Sequence, residues 1–124
     1  MHASYLKKVN NSFLYRLFLI AKLPIAWISG LKVIKVTAES AQISIRYKYL
    51  NQNPFKSMYF ACQAMAAEMS TGLLAMGYID SQFANISMLV LDLSCKFTKK
   101  AVGEIQFICE DGLLVKEAIQ KAVD

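Results

Sequence analysis

The sequence has a single histidine, His2, and it stands in a terminal segment where the chain frays. A Ser-His or Cys-His nucleophile and a histidine-based zinc site both lack their imidazoles, so no metal and no cofactor is expected. Cysteine is scarce too. Cys62, Cys95 and Cys109 are an odd number, too widely spaced for a metal knuckle, which argues against a disulfide framework. Each falls in an apolar segment, predicting buried thiols in a reducing cytoplasm. Acidic residues are nearly missing from the first half. Residues 1–62 carry nine Lys/Arg and one acid, Glu39, whereas the remainder carries five Lys and eight acids. That basic half reads either as solvated strand and helix faces or as an attraction for a phosphate-bearing ligand. No zinc motif, Gly-rich aromatic signature or dense basic run accompanies it, so no nucleic-acid partner is expected. An uninterrupted apolar leader is also absent: Arg16 and Lys22 break the N-terminal run, excluding a signal peptide.

What the chain does have is a run from Ser57 to Ile79, SMYFACQAMAAEMSTGLLAMGYI, with one charge, Glu68. The length would span a bilayer, but Gln63, Glu68 and many Ala, Ser, Thr and Gly residues lie inside it, and its neighbours read as half-buried strands. No membrane span is expected. A carboxylate in an apolar helix is costly unless paired or used, and burial raises its pKa toward the range of a general base.

At 124 residues and 56% hydrophobic, the chain is read as one domain with a real core: an N-terminal helix and connector over 1–29 and a core over 30–124. Asn11 or Ser12 caps a first helix that stops before Pro24, with Phe13, Leu14, Leu17, Phe18 and Ala21 at helical spacing and therefore lying on something. Leu31–Ala38 is β-rich with imperfect alternation. Ala41–Tyr49 alternates cleanly, with Ala41, Ile43, Ile45, Tyr47 and Tyr49 on one face, and makes a hairpin with it. The long helix follows the Asn-Gln-Asn-Pro loop, is apolar nearly all round, and is ended by Gly77. Two more strands are expected, Ser87–Thr98 and Val102–Glu110, with Lys99-Lys100 at the turn, and then a tail helix with Val115, Ala118, Ile119 and Ala122 in register. The fold class is α+β: an antiparallel sheet wrapped around a long central helix, preceded by an N-terminal helix.

A hairpin, one central apolar helix carrying Ala67-Glu68, and further antiparallel strands resemble the hotdog-fold thioesterase superfamily, above all its small bacterial branch of thioesterase-like domains of unknown function. The likeness covers Leu31 to Asp111. It implies that Glu68 is the catalytic carboxylate, a general base on water or a nucleophile on the thioester carbonyl. It implies that the Ala61 backbone N–H at the helix N-terminus polarises the thioester oxygen. Thr71 and Gly72 would border the acyl path, and Asn53 would bind the ligand or fix its loop. The sequence departs from the family in three places. Tyr59 stands at the family's histidine, Phe60 and Ala61 replace two glycines, and the family continues past the tail helix into two long strands where this sequence stops at Asp124. A hotdog sheet without its C-terminal strands is therefore expected.

Two functions follow. One is an acyl-thioesterase acting on acyl-CoA or a similar thioester, the basic half meeting the phosphates. The other is a non-catalytic acyl- or lipid-binding or dimerisation module, in which Glu68 is structural. Both imply a cytoplasmic homodimer or higher homo-oligomer.

Overall fold

A computed structural model describes residues 1–82 and 85–124. The hairpin forms as the alternation predicts. β1 (Leu31–Val36) pairs antiparallel with β2 (Ala41–Arg46), closed by Thr37, whose hydroxyl accepts from the Ser40 N–H at 3.1 Å. After a long helical crossover, β3 (Glu104–Cys109) joins the other side of β2, also antiparallel. Register puts Leu31, Val33 and Val36 beside Ile45, Ile43 and Ala41, and these beside Ile105, Phe107 and Cys109. One sheet face is thus wholly apolar. The imperfect alternation of β1 has a cause in a β-bulge between Val33 and Lys35, which turns Ile34 out to solvent and returns Val36 to the core.

The long helix, here α4, lies on that apolar face, crossing β2 and touching β1 and β3. It runs Phe60–Asp80, starting three residues later and ending four later than the sequence predicts. Gly77 does not stop it. A Cβ there would come within 2.6 Å of the Tyr5 ring and of the Met1 methyl, so glycine is required by the close approach of the N-terminal helix α1 (Ala3–Val9). Tyr5 fastens α1 by donating its hydroxyl to the Leu73 carbonyl at 2.7 Å.

The N-terminal region departs from expectation. One helix and a connector are instead three helices: α1, α2 (Ser12–Lys22) and α3 (Pro24–Ser29). Asn11 caps α2, accepting from the Leu14 N–H at 3.0 Å. The chain breaks only at Leu23, and Pro24 then starts α3, because a first-turn proline loses no hydrogen bond. The orientation of α2 differs as well. Its buried side chains are Tyr15 and Leu19, while Phe13, Leu14, Leu17 and Phe18 face outward. At β1, the Asn10 side chain both accepts from the Val36 N–H at 2.8 Å and donates to its carbonyl at 2.9 Å, as a neighbouring strand would.

Two further corrections concern strands. β2 ends at Arg46. Lys48 then turns the chain into a single 3-10 turn, Tyr49–Asn51, leaving Tyr49 in solvent rather than on the core face. Ser87–Thr98 does not form a strand. Its residues are exposed throughout, Leu89 to 83 % and Leu91 to 94 %. Alternation supplies one apolar face, but a strand exists only against a partner strand, and among the described residues no strand pairs with it. Among the described residues the sheet therefore has three strands where four are expected. The tail helix α5 (Gly112–Val123) packs on α4, with Val115 and Ile119 half-buried. Of the cysteines only Cys62 is buried. Cys109 is intermediate and Cys95 exposed, and all three are free. Among the described residues, no helix is long and apolar enough to cross a membrane.

Candidate functional site

The α4 N-terminus is set by the loop before it. The Asn53 side chain accepts from the Phe55 N–H at 2.9 Å and the Ser57 N–H at 3.3 Å, and donates to Ser57 Oγ at 3.0 Å. Its hydrogen bonds are spent inside the loop, so Asn53 fixes the turn. Asn51 is likewise structural: fully buried, it donates to the Ser29 and Arg46 carbonyls at 2.9 and 2.8 Å. Met58 N–H donates to the Ala101 carbonyl at 2.9 Å, tying this loop to the chain entering β3.

Between these two loops opens a cleft of about 690 Å³, lined by Asn53, Tyr59, Phe60 and Gln63 on one side and Phe97 to Ala101 on the other. Three sequence-predicted site residues, Asn53, Tyr59 and Phe60, meet here. Tyr59 is the N-cap and provides no side-chain cap. Among the described residues the Phe60 and Ala61 N–H groups have no acceptor, while the Cys62 N–H turns back to the Tyr59 carbonyl at 3.0 Å. Two free donors at the positive end of a 21-residue helix can polarise an oxygen. The cations at the cleft are not those of the basic first half. Lys99 and Lys100 line it, and Lys96 joins them in an adjoining hollow of about 360 Å³.

Glu68, Thr71 and Gly72 lie farther along. Phe60, Ala64, Glu68 and Thr71 recur at helical spacing on the side of α4 turned from the sheet, whereas Cys62, Ala66, Met69 and Leu73 face it. This outer side is slim. The extended segment runs antiparallel along it: Met88 Cε stands 3.8 Å from where a Gly72 Cβ would be, and the Phe97 ring meets Phe60 edge-on at 6.1 Å. Glu68 is half-buried, folded back over Gly72, with its Oε1 3.1 Å from that same Cβ position. Among the described residues its carboxylate makes no hydrogen bond or ion pair. Glu68 stands eight positions beyond Phe60, about 12 Å along the axis at 1.5 Å per residue. One chain therefore cannot set both groups on one carbonyl.

Sequence reasoning missed Tyr15. Its hydroxyl points to Met69 Sδ at 3.7 Å. Burial, and then the Glu68 carboxylate, push its phenol from 10.0 up to about 12. The protonated form is favoured in the fold, so this contribution is fully present below pH 10 and is lost as pH climbs from 10 to 12. Over that window stability should fall by on the order of 2 kcal/mol. Tyr15→Phe should flatten part of the slope in urea titrations. An unchanged slope would remove Tyr15 from the account. Tyr5, also raised by burial, leaves a residual share. Gln63, Phe97 and Lys96 to Lys100 were missed too. The amphipathic spacing marks α2 but not Tyr15 within it, and nothing in the local sequence joins residues 96–100 to residue 60.

No family model, curated protein or solved structure matches the chain.

Proposed function

We propose that this chain is an acyl-thioesterase of hotdog type, acting on acyl-CoA-like thioesters in the cytoplasm. The observation that carries the reading is Glu68: an unpaired, half-buried carboxylate on the slim outer face of an apolar helix whose N-terminus presents free N–H groups to a cleft. In the reaction Glu68 takes a proton from water as the water oxygen attacks the thioester carbon. The Phe60 and Ala61 N–H groups hold the developing oxyanion. The C–S bond then breaks and the proton passes to the departing sulfur. The acyl chain lies along Ala64, Thr71 and Gly72, and Lys99 and Lys100 face the ligand's phosphates.

The 12 Å separation is bridged by a second copy. The segment 87–98 has two charges, Asp92 and Lys96, placed symmetrically about Ser94. Antiparallel self-pairing with Ser94 opposite Ser94 sets Asp92 against Lys96 twice and pairs Leu91 with Phe97 and Leu93 with Cys95 on one face. Met88 lies at Gly72 and Phe97 at Phe60, so this pairing would set the partner's segment along the same outer side of α4. The two-fold axis then brings the free N–H pair of one copy toward Glu68 of the other. Asp92→Lys should yield monomers by light scattering, and adding Lys96→Asp should restore dimers. Dimers that survive Asp92→Lys unchanged would rule this register out.

The functional test is hydrolysis of an acyl-CoA panel, short to long, by the protein and by Glu68→Gln. Turnover lost in the variant supports the thioesterase. A folded protein with no turnover leaves the non-catalytic acyl-binding module, a reading favoured by one observation: the Tyr59 and Phe60 rings, packed at 4.9 Å, line the cleft where the family has a histidine and a glycine.

A further inference from the structure

The helix α2 is apolar on two opposite sides. Tyr15 and Leu19 face the core. At 100° per residue Phe13, Leu17 and Ile20 point the other way, and they stand in solvent, Phe13 65 % and Leu17 47 % exposed. Arg16 falls on a flank between these stripes, whereas Lys22, seven residues after Tyr15, lies on the Tyr15 side at the end of the helix. The outer surface continues into α3 through Ile25, Ile28 and Trp27, the last 45 % exposed. A helix on a protein surface ordinarily turns polar residues outward, and contiguous exposed apolar surface marks an interaction site.

The charge around this surface selects the partner. Residues 1–38 hold six Lys/Arg and no acid. Beside the helices lies a groove of about 370 Å³, bordered by Arg16, Trp27, Ile28, Lys32, Lys48 and Leu50, with no carboxylate in its lining. Three cations around an apolar and indole floor suit a phosphate that is attached to hydrocarbon.

We propose that the α2–α3 layer docks the protein on an anionic lipid surface. The outer apolar side chains enter the boundary between headgroups and acyl chains, Trp27 sits at that level, and Arg16 and Lys32, exposed at the rim of the groove, reach phosphates. With 11 residues, α2 is about 16 Å long, so it lies on the bilayer and does not cross it. A second copy fits this face poorly. A two-fold contact would bring the cations of both copies together, with no acid among residues 1–38 of either to offset them. The surface is separate from the segment 87–98 and from the cleft, so the proposal stands apart from the thioesterase reading.

The test is sedimentation of the full chain with vesicles of equimolar phosphatidylglycerol and phosphatidylcholine, and with phosphatidylcholine alone. Binding to the anionic vesicles, weakened by salt and nearly absent on the neutral ones, is expected. Arg16→Gln with Lys32→Gln should weaken partitioning about thirtyfold. Phe13→Ser with Leu17→Ser, both at exposed positions, should reduce it at least as much while circular dichroism stays unchanged. Three results would overturn the proposal: folded protein that stays in solution with anionic vesicles, full binding by the Ser variant, or a drop in oligomeric mass on that substitution, which would give the face to a second copy.

Discussion

Gly112→Ala should lower the urea midpoint of unfolding further than any other single substitution proposed for this chain. Gly112 opens α5 against the β1–β2 turn, and its N–H donates to the Glu39 carbonyl at 3.0 Å. A Cβ at this position would meet the Ala38 carbonyl oxygen and stand 2.6 Å from Glu39 Cα. These are backbone atoms, so no rotamer change relieves the overlap. Either α5 lifts from the turn and exposes the flank of α4, or the hairpin distorts. Overpacking in a fixed frame costs about 1–3 kcal/mol and more against backbone. The helix propensity gained by replacing glycine, under about 1 kcal/mol, does not offset it. Against a total stability of about 5–15 kcal/mol, the urea midpoint should fall sharply. A variant as stable as the parent would mean that α5 is not docked on this turn.

Glu68→Gln should lower turnover by about 10²–10⁴-fold, the contribution of a positioned base, with little change in thioester binding. Glutamine keeps the length and the hydrogen-bonding oxygen but cannot accept the water proton. The expected pattern is a fall in kcat with KM nearly constant. Stability should hold or rise slightly, since a half-buried carboxylate without a partner is replaced by a neutral amide. That second reading separates the roles. A structural carboxylate would lose stability on substitution, whereas a catalytic one would lose rate.

The hairpin was legible because β-structure writes its period directly. Ile43 and Ile45 face the core and Gln42 faces out, as alternation requires. The bulge at Ile34 left only a blur in that pattern, since one extra residue shifts the phase without announcing where. The outward face of α2 was not legible. Phe13, Leu17, Tyr15 and Leu19 are all apolar, and spacing reveals a stripe without saying which side meets the core. Gly77 gave the signal of a helix stop, yet the same lack of a Cβ serves the approach of α1. The alternation in residues 87–98 was legible and its meaning was not, because pairing depends on a neighbour elsewhere. At the candidate site, Asn53, Tyr59 and Phe60 are close in sequence and meet in space. Residues 97–101 reach the same cleft through a crossover that no local pattern encodes.

The Asn10 amide, bonded to both polar groups of Val36, has a consequence for how copies can associate. Runaway head-to-tail stacking of sheets needs two complementary edges on each molecule. Here one side chain occupies the Val36 position on β1, and the bulge beside it spoils the spacing of the rest. Strand-to-strand growth is left a single side from which to proceed, so it ends when two molecules have met. An Asn10→Ala chain would lose little of its core, yet it would expose the rim on which fibres start.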